Sequence, residues 1–309
     1  MKTIYILLLF FCNSLQAQAA KLNIRMISRI LVISAIALTL LAFEHQPSFS
    51  QVTQQWVARY TGPGDAVDYA NSLAVDGSGN VYVTGYSIGN VQPDYATVKY
   101  NSSGVQQWVE RYSEFEYSAE AATSLAVDGS GNVYVTGESN GSGSSFDYAT
   151  IKYNSSGIQQ WVVKYNGPGN SDDRAISLAV DGTGNVYVTG KSTGSGTSFD
   201  YATVKYNSSG VQQWVARYNR VGNSDDRTYS LAVDGSGNVY VTGVTGYSGN
   251  RDYATIKYNS AGVQQWVARY NGPGNSWDEA NSLAVDGSGN VYVTGYSTGS
   301  GTSNVIMQQ

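Results

Sequence analysis

From residue 51 onward, apolar and polar positions alternate in short runs, and the runs repeat. In the first full unit Ser72-Leu-Ala-Val75 is followed by Val81-Tyr-Val-Thr-Gly85, Tyr95-Ala-Thr-Val-Lys-Tyr100 and Val105-Gln-Gln-Trp-Val-Glu-Arg-Tyr112. Short runs rich in Val, Thr and Tyr, bounded by Gly, Asn and Ser, predict four β-strands, A to D. Trp56, Trp108, Trp161, Trp214 and Trp266 recur at spacings of 52, 53, 53 and 52 residues, and Asp76, Asp128, Asp181, Asp234 and Asp286 recur at the same four spacings. A period near 50 with four strands per unit predicts propeller blades. The expectation is an all-β, five-bladed β-propeller of four-stranded antiparallel blades spanning 51–309. The fifth repeat is truncated: Asn304-Val-Ile-Met-Gln308 stands where strand C is due. A lone D-type strand, Gln54 to Tyr60, is expected to complete this last blade and close the ring.

The turns set the register. Asp76 opposite Asn80 leaves a three-residue loop with Gly79 in the left-handed position. For strands C and D, placing Tyr100 opposite Val105 pairs Asp94 with Arg111, Asp147 with Lys164, Asp200 with Arg217 and Asp252 with Arg269. Opposite charges in all four units support that alignment. The tryptophans, one per blade, are expected to pack between neighbouring blades.

The unit Ser-Leu-Ala-Val-Asp-Gly-Ser-Gly-Asn-Val-Tyr-Val-Thr-Gly, with Asp-Tyr-Ala-Thr-Val-Lys-Tyr-Asn downstream, resembles the bacterial β-propeller repeat called the SBBP repeat. The resemblance covers five copies from residue 51 to about 300. It implies an exported or surface-attached propeller and carries no catalytic residues to transfer.

Composition narrows the chemistry. The only histidine is His45 and the only cysteine Cys12, so the repeats contain neither. Histidine-based triads, disulfides and His/Cys metal sites are excluded there. Four Gly-x-Ser-x-Gly sequences, around Ser87, Ser139, Ser192 and Ser297, therefore lack a base and read as strand ends. The chain carries 18 Lys+Arg and 23 Asp+Glu. Residues 1–50 hold Lys2, Lys21, Arg25, Arg29 and Glu44, which leaves 14 basic against 22 acidic residues in the repeats. Without a basic run, nucleic acid and anionic membrane surfaces are poor partners.

Residues 1–50 read as a leader holding two signal-like segments. Ile4 to Cys12 follows Lys2 and precedes Ala17-Gln18-Ala19; Ile30 to Phe43 follows Arg25 and Arg29. The second apolar run is 14 residues, short of the ~20 that span a bilayer. It is read as the working signal peptide, with cleavage near Ser50, and the protein is expected to be secreted, periplasmic or on the cell surface.

Eight residues before each turn aspartate the chain is acidic in all five units: Asp68, Glu120, Asp173, Asp226 and Asp278. A propeller would set these five around one mouth of its channel, either as hydrogen-bond staples or as a site for a cation or for sugar hydroxyls. Calcium is the one cofactor considered, at this ring or at the Asp76-Gly-Ser78-Gly-Asn80 turn, which lacks the bidentate Glu of a calcium loop. The A–B and C–D loops are nearly constant. The D–A and B–C loops vary and hold Trp277, which has no counterpart in other units and suits stacking on a sugar or a partner. Recognition is assigned to that varied face. The leading expectation is a non-enzymatic exported module that binds carbohydrate or protein at the cell surface. A carboxylate-dependent glycoside hydrolase or lyase using Asp173, Asp226 and Asp278, and a purely structural surface or adhesion repeat, are the alternatives.

Overall fold

A computed structural model describes residues 52–299, apart from 90, 91, 116, 117, 141–144, 197, 221, 223 and 248, together with 303–308. The leader segments, with Cys12 and His45, lie outside the described residues. Five antiparallel sheets follow one another along the chain. The first blade is β1 (Asp68–Val75), β2 (Val81–Ile88), β3 (Pro93–Tyr100) and β4 (Gln106–Tyr112). The second is β5 (Glu120–Val127), β6 (Val133–Asn140), β7 (Phe146–Tyr153) and β8 (Gln159–Tyr165). The third is β9 (Asp173–Val180), β10 (Val186–Thr193), β11 (Phe199–Tyr206) and β12 (Gln212–Tyr218). The fourth is β13 (Arg227–Val233), β14 (Val239–Tyr247), β15 (Asn250–Tyr258) and β16 (Gln264–Tyr270). The fifth has three strands, β17 (Asp278–Val285), β18 (Val291–Thr298) and β19 (Ser303–Gln308). The tail therefore takes the place of strand C, pairing antiparallel with β18.

The A–B turn forms as its residues dictate. Asp76 N donates to Asn80 O (3.0 Å), and Gly79 has φ 78°, which a side chain would oppose. Asp76 Oδ1 accepts the amides of Ser78 and Asn80 at 2.9 Å, while Oδ2 accepts Asn80 Nδ2 (2.8 Å) and the Tyr82 hydroxyl (3.0 Å). This carboxylate is saturated by its own turn, and the bonds from Asn80 above all hold its pKa at about 2.

The C–D register differs from the sequence expectation by two residues. Asn101, not Tyr100, stands opposite Val105, and a bulge between Lys99 and Tyr100 brings Ala96 opposite Arg111. Two of the four expected ion pairs form across this diagonal, Arg111–Asp94 at 2.7 Å and Arg217–Asp200 at 2.8 Å. The guanidinium fork explains why: Arg217 also reaches Ser192 Oγ (2.5 Å), Ser192 O (2.9 Å) and the Tyr165 hydroxyl (2.9 Å). Lys164 has no fork and turns instead to Glu114 and to Asn140 O. Arg269 bonds the Tyr218 hydroxyl, and Asp252 is taken by Arg220 at 2.7 Å.

The core lies between blades. Each blade offers an aromatic face to the aliphatic face of the next: Tyr134, Tyr148, Trp161 and Tyr165 of the second pack against Leu178, Val186, Val188 and Val204 of the third. Trp108, Trp161 and Trp214 pack between blades as expected, their Nε1 donating to Ser155 O (3.2 Å), Ser208 O (3.2 Å) and Ser260 O (3.1 Å) of the following blade. Trp266 departs from this, 37% exposed and set against Tyr240 of its own blade. Serines add a register peg, Ser72 Oγ accepting Leu125 N and Ser124 Oγ accepting Leu178 N.

The innermost strands touch in the order β1, β5, β9, β13, β17, and no comparable contact joins β17 back to β1. Leu73 is accordingly 66% exposed, against 6–9% for Leu125, Leu178, Leu231 and Leu283. Residues 54–60, expected as a strand, are not in one; without a neighbouring edge there is no ladder to join. They still occupy the place of a D strand beside the first blade. Trp56 Nε1 bonds Ser102 O at 3.1 Å, and the Tyr60 hydroxyl accepts from Arg111 (3.3 Å).

Candidate functional site

Topology sends the D–A and B–C connections to one face, where the D–A loop of each blade meets the B–C loop of the one before. Asp226 N donates to Phe199 O at 2.7 Å, and Arg251 N to Ser276 O at 3.1 Å. The five acidic residues stand at this junction. Glu120, Asp173, Asp226 and Asp278 are fully buried, and Asp68, in the uncovered first blade, is only partly so. Asp173 Oδ2 accepts Gly167 N (2.5 Å) and Oδ1 accepts Thr193 N (3.1 Å). Asp278 repeats this with Gly272 N (2.6 Å) and Thr298 N (3.1 Å), and Asp68 Oδ2 accepts Gly62 N (3.0 Å). Asp226 binds Arg220 N (2.7 Å), Ser224 Oγ (2.9 Å) and Thr245 Oγ1. Glu120, longer by a methylene, takes hydroxyls, those of Ser118, Ser113 and Ser139.

Glu120, Asp173, Asp226 and Asp278 thus staple their own D–A loops to strand B, whereas Asp68 holds only its loop, its Oδ1 lacking a partner. Among the described residues no three Asp, Glu, His or Cys side chains come together in a way that could hold a metal ion. The signal missed in the sequence is the glycine six residues upstream. A Cβ on Gly167 would lie 2.2 Å from Ser192 Oγ and 2.7 Å from Asp173 Oδ1, so in this unit glycine lets the loop close over the carboxylate. Gly62 and Gly272 stand at the same place, while the fourth unit closes over Asp226 with Arg220 there.

Burial raises the pKa of Asp173 and Asp226 despite these bonds, and of Glu120 despite Ser118. Outside the staples Asp147 is also pushed up, to about 6, by burial and then by the Asp173 charge. It is 8% exposed, and its Oδ1 is buried without a partner, because Lys164 is engaged elsewhere. Between about pH 4 and 6 the folded chain therefore binds more protons at Asp147 than the unfolded chain. Its penalty is fully present above pH 6 and vanishes as pH falls towards 4. Asp76 and Asp181, held at about 2, act oppositely, their stabilisation being present above pH 4 and lost towards pH 2. Stability should peak between pH 4 and 5. Lys164→Arg, restoring the fork of Arg111 and Arg217, should raise stability at pH 7 by on the order of 1–2 kcal/mol and flatten the decline from pH 4 to 7; melting curves across that range check both.

Where the repeats differ, charged and aromatic side chains gather on the same face. Arg174 lies 4.4 Å over Phe146, Lys191 4.2 Å over Phe199, and Arg251 4.7 Å over Trp277. Arg174 pairs with Glu138 (2.9 Å) and Asp172 (3.2 Å), and Arg227 with Asp225 (2.5 Å). Trp277 is 45% exposed and donates Nε1 to Glu279 (3.1 Å). On the opposite face, clefts of about 470 and 510 Å³ open between neighbouring A–B turns, but their aspartates are held by their own turns as Asp76 is.

Comparison with known proteins agrees with the repeat count. The model of a family described as "SBBP: Beta-propeller repeat" matches residues 55–91, 120–143, 160–196, 213–250 and 265–301, more than half of the chain. No curated protein matches the sequence. Among solved structures, a protein of unknown function from Dyadobacter fermentans DSM 18053 is similar with TM-score 0.47 and 11% identity over 74% of this chain and 75% of its own. YjhT gives 0.43 and 15% over 75% and 74%, and a candidate exo-beta-1,3-galactanase from Bifidobacterium bifidum s17 gives 0.39 and 8% over 77% and 85%. At these scores the structural likenesses carry no argument. Five sequence matches, one to each sheet of the structure, do: the chain belongs to the SBBP β-propeller repeat family.

Proposed function

We propose that this chain is an exported, non-enzymatic binding module that recognises carbohydrate or protein through its D–A/B–C face. The observation that carries this reading is the concentration there of the positions that vary among the five units, with Arg174, Lys191, Arg227 and Arg251 ranged over Phe146, Phe199 and Trp277. Export rests on the signal-like segments of residues 1–50. A glycosidase needs two carboxyl groups flanking a cleft, and Asp173, Asp226 and Asp278 are fully buried under their loops, which favours the binding reading.

The scaffold is a closed ring in this proposal. The fifth blade has strands A, B and C and an outer edge on β19 with no partner strand among the described residues. Residues 54–60 form no strand, but Trp56 and Tyr60 already lie against the first blade where a D strand would stand. Joining the two completes one blade and covers Leu73.

Binding of the full chain to a panel of neutral and acidic polysaccharides tests the function. Arg227→Ala combined with Trp277→Ala should weaken binding at least tenfold with an unchanged Tm, while Thr183→Ala on the opposite face should leave it intact. Equal binding by the double variant would overturn the reading.

A further inference from the structure

The inter-blade junctions of the D–A/B–C face share one plan but differ in one charged side chain. Between the second and third blades lie Glu138, Phe146 and Arg174; Arg174 stacks on Phe146 and pairs with Glu138. Each of these residues has its counterpart 53 positions later, at Lys191, Phe199 and Arg227 between the third and fourth blades. Arg227 again lies over the ring, 5.6 Å from the centre of Phe199, and again has a loop aspartate, Asp225. What is missing is the inner carboxylate. An ammonium stands in its place, over the same ring.

The exchange leaves like charges together. Across the β9–β10 ladder Lys191 is the direct partner of Arg174, and Arg227 flanks it from the next blade. Among the described residues Lys191 Nζ has no hydrogen bond or ion pair; the Nε groups of Arg174, Arg227 and Arg251 are alike buried without acceptors, so it is the ammonium that sets this junction apart. Burial, then the Arg227 and Arg174 guanidinium groups, lower the pKa of Lys191 against the opposing pull of the Asp225 and Asp172 carboxylates. In the sister groove Glu138 places a carboxylate against Arg174, 2.9 Å away, where the third-to-fourth junction has the Lys191 ammonium.

We propose that the groove between the third and fourth blades binds an organic carboxylate, held by Lys191 and Arg227 above Phe199 in the position that Glu138 fills one groove earlier. The inference rests on the varied face being the recognition surface. Charge-assisted bonds to ammonium and guanidinium suit a carboxylate, whether free or borne by a uronic acid.

Calorimetric titration of the full chain with galacturonate, galactose and acetate tests this. Galacturonate should bind with one site per chain and galactose should not. Acetate binding would mean that the carboxylate alone suffices, and its failure beside galacturonate binding would place the carboxylate on a sugar; both support the site. Lys191→Glu, which supplies the carboxylate internally, should weaken galacturonate at least tenfold with no loss of Tm. Glu138→Lys should open the second groove and raise the stoichiometry to two. No galacturonate binding by the wild type, equal binding of galactose, or undiminished binding after Lys191→Glu would overturn the proposal. Neutral polysaccharide binding in the panel above, without galacturonate binding, would overturn this site while leaving the wider reading intact.

Discussion

Replacing Asp173 by alanine should cost about 3 kcal/mol of stability, while asparagine at the same position should cost about 1 kcal/mol or less. The carboxylate accepts Gly167 N and Thr193 N inside a site with no access to water. Alanine leaves both amides buried without acceptors and opens space beneath a loop whose glycine was selected by that contact. Asparagine keeps a carbonyl for one amide and turns an NH2 donor on the other, so one amide in place of two is left without an acceptor. It also removes a charge whose pKa burial has already raised, so the neutral side chain forfeits little electrostatic stabilisation. For a domain of this size a loss of 3 kcal/mol lowers Tm by about 6–12 °C. Asp68→Ala should cost less, because that residue sits in the uncovered first blade with its Oδ1 lacking a partner. Thermal melts of the three variants decide the matter. An unchanged Tm in Asp173→Ala would mean that the residue is no staple.

The features legible in the sequence are those fixed by a few neighbouring residues. Asp76, Gly79 and Asn80 determine the A–B turn among themselves, and the tryptophan period locates each blade. The C–D register is not legible because the turn closes at Asn101 opposite Val105 and a bulge between Lys99 and Tyr100 adds a second residue of shift that no residue there announces. Five acidic residues at equivalent positions could be read as staples or as a ring open to ligands. The choice rests on burial and on Gly167 and its equivalents, whose role needs the loop folded back. The carboxylate groove was the hardest to see. Lys191 and Glu138 are each one departure from a repeat, and only the fold places the first beside Arg227 and the second beside Arg174.

Leu178→Ala and Leu73→Ala probe the closure of the ring, because the two leucines occupy the same position in different blades. Leu178 packs against Tyr134 and Tyr148 of the preceding blade and is 7% exposed. Its truncation should cost about 3 kcal/mol, the usual range for a core leucine. Leu73 is 66% exposed beside Tyr69 and Val75, themselves more than half exposed, and an apolar patch of that kind calls for a cover. The far end of the chain supplies a matching surface. Ser282 of β17 stands where Ser72, Ser124 and Ser230 accept the leucine amide of the following blade. A shallow apolar hollow of about 180 Å³ between Leu283, Ala284 and Tyr292 lies beside it. If the fifth blade, completed by residues 54–60, docks on the first, Leu73 becomes a core residue and Leu73→Ala should cost as much as Leu178→Ala. A cost under about 0.5 kcal/mol, the ordinary effect of a surface change, would show that the five blades stand as an open arc and that the first blade's face stays uncovered in solution.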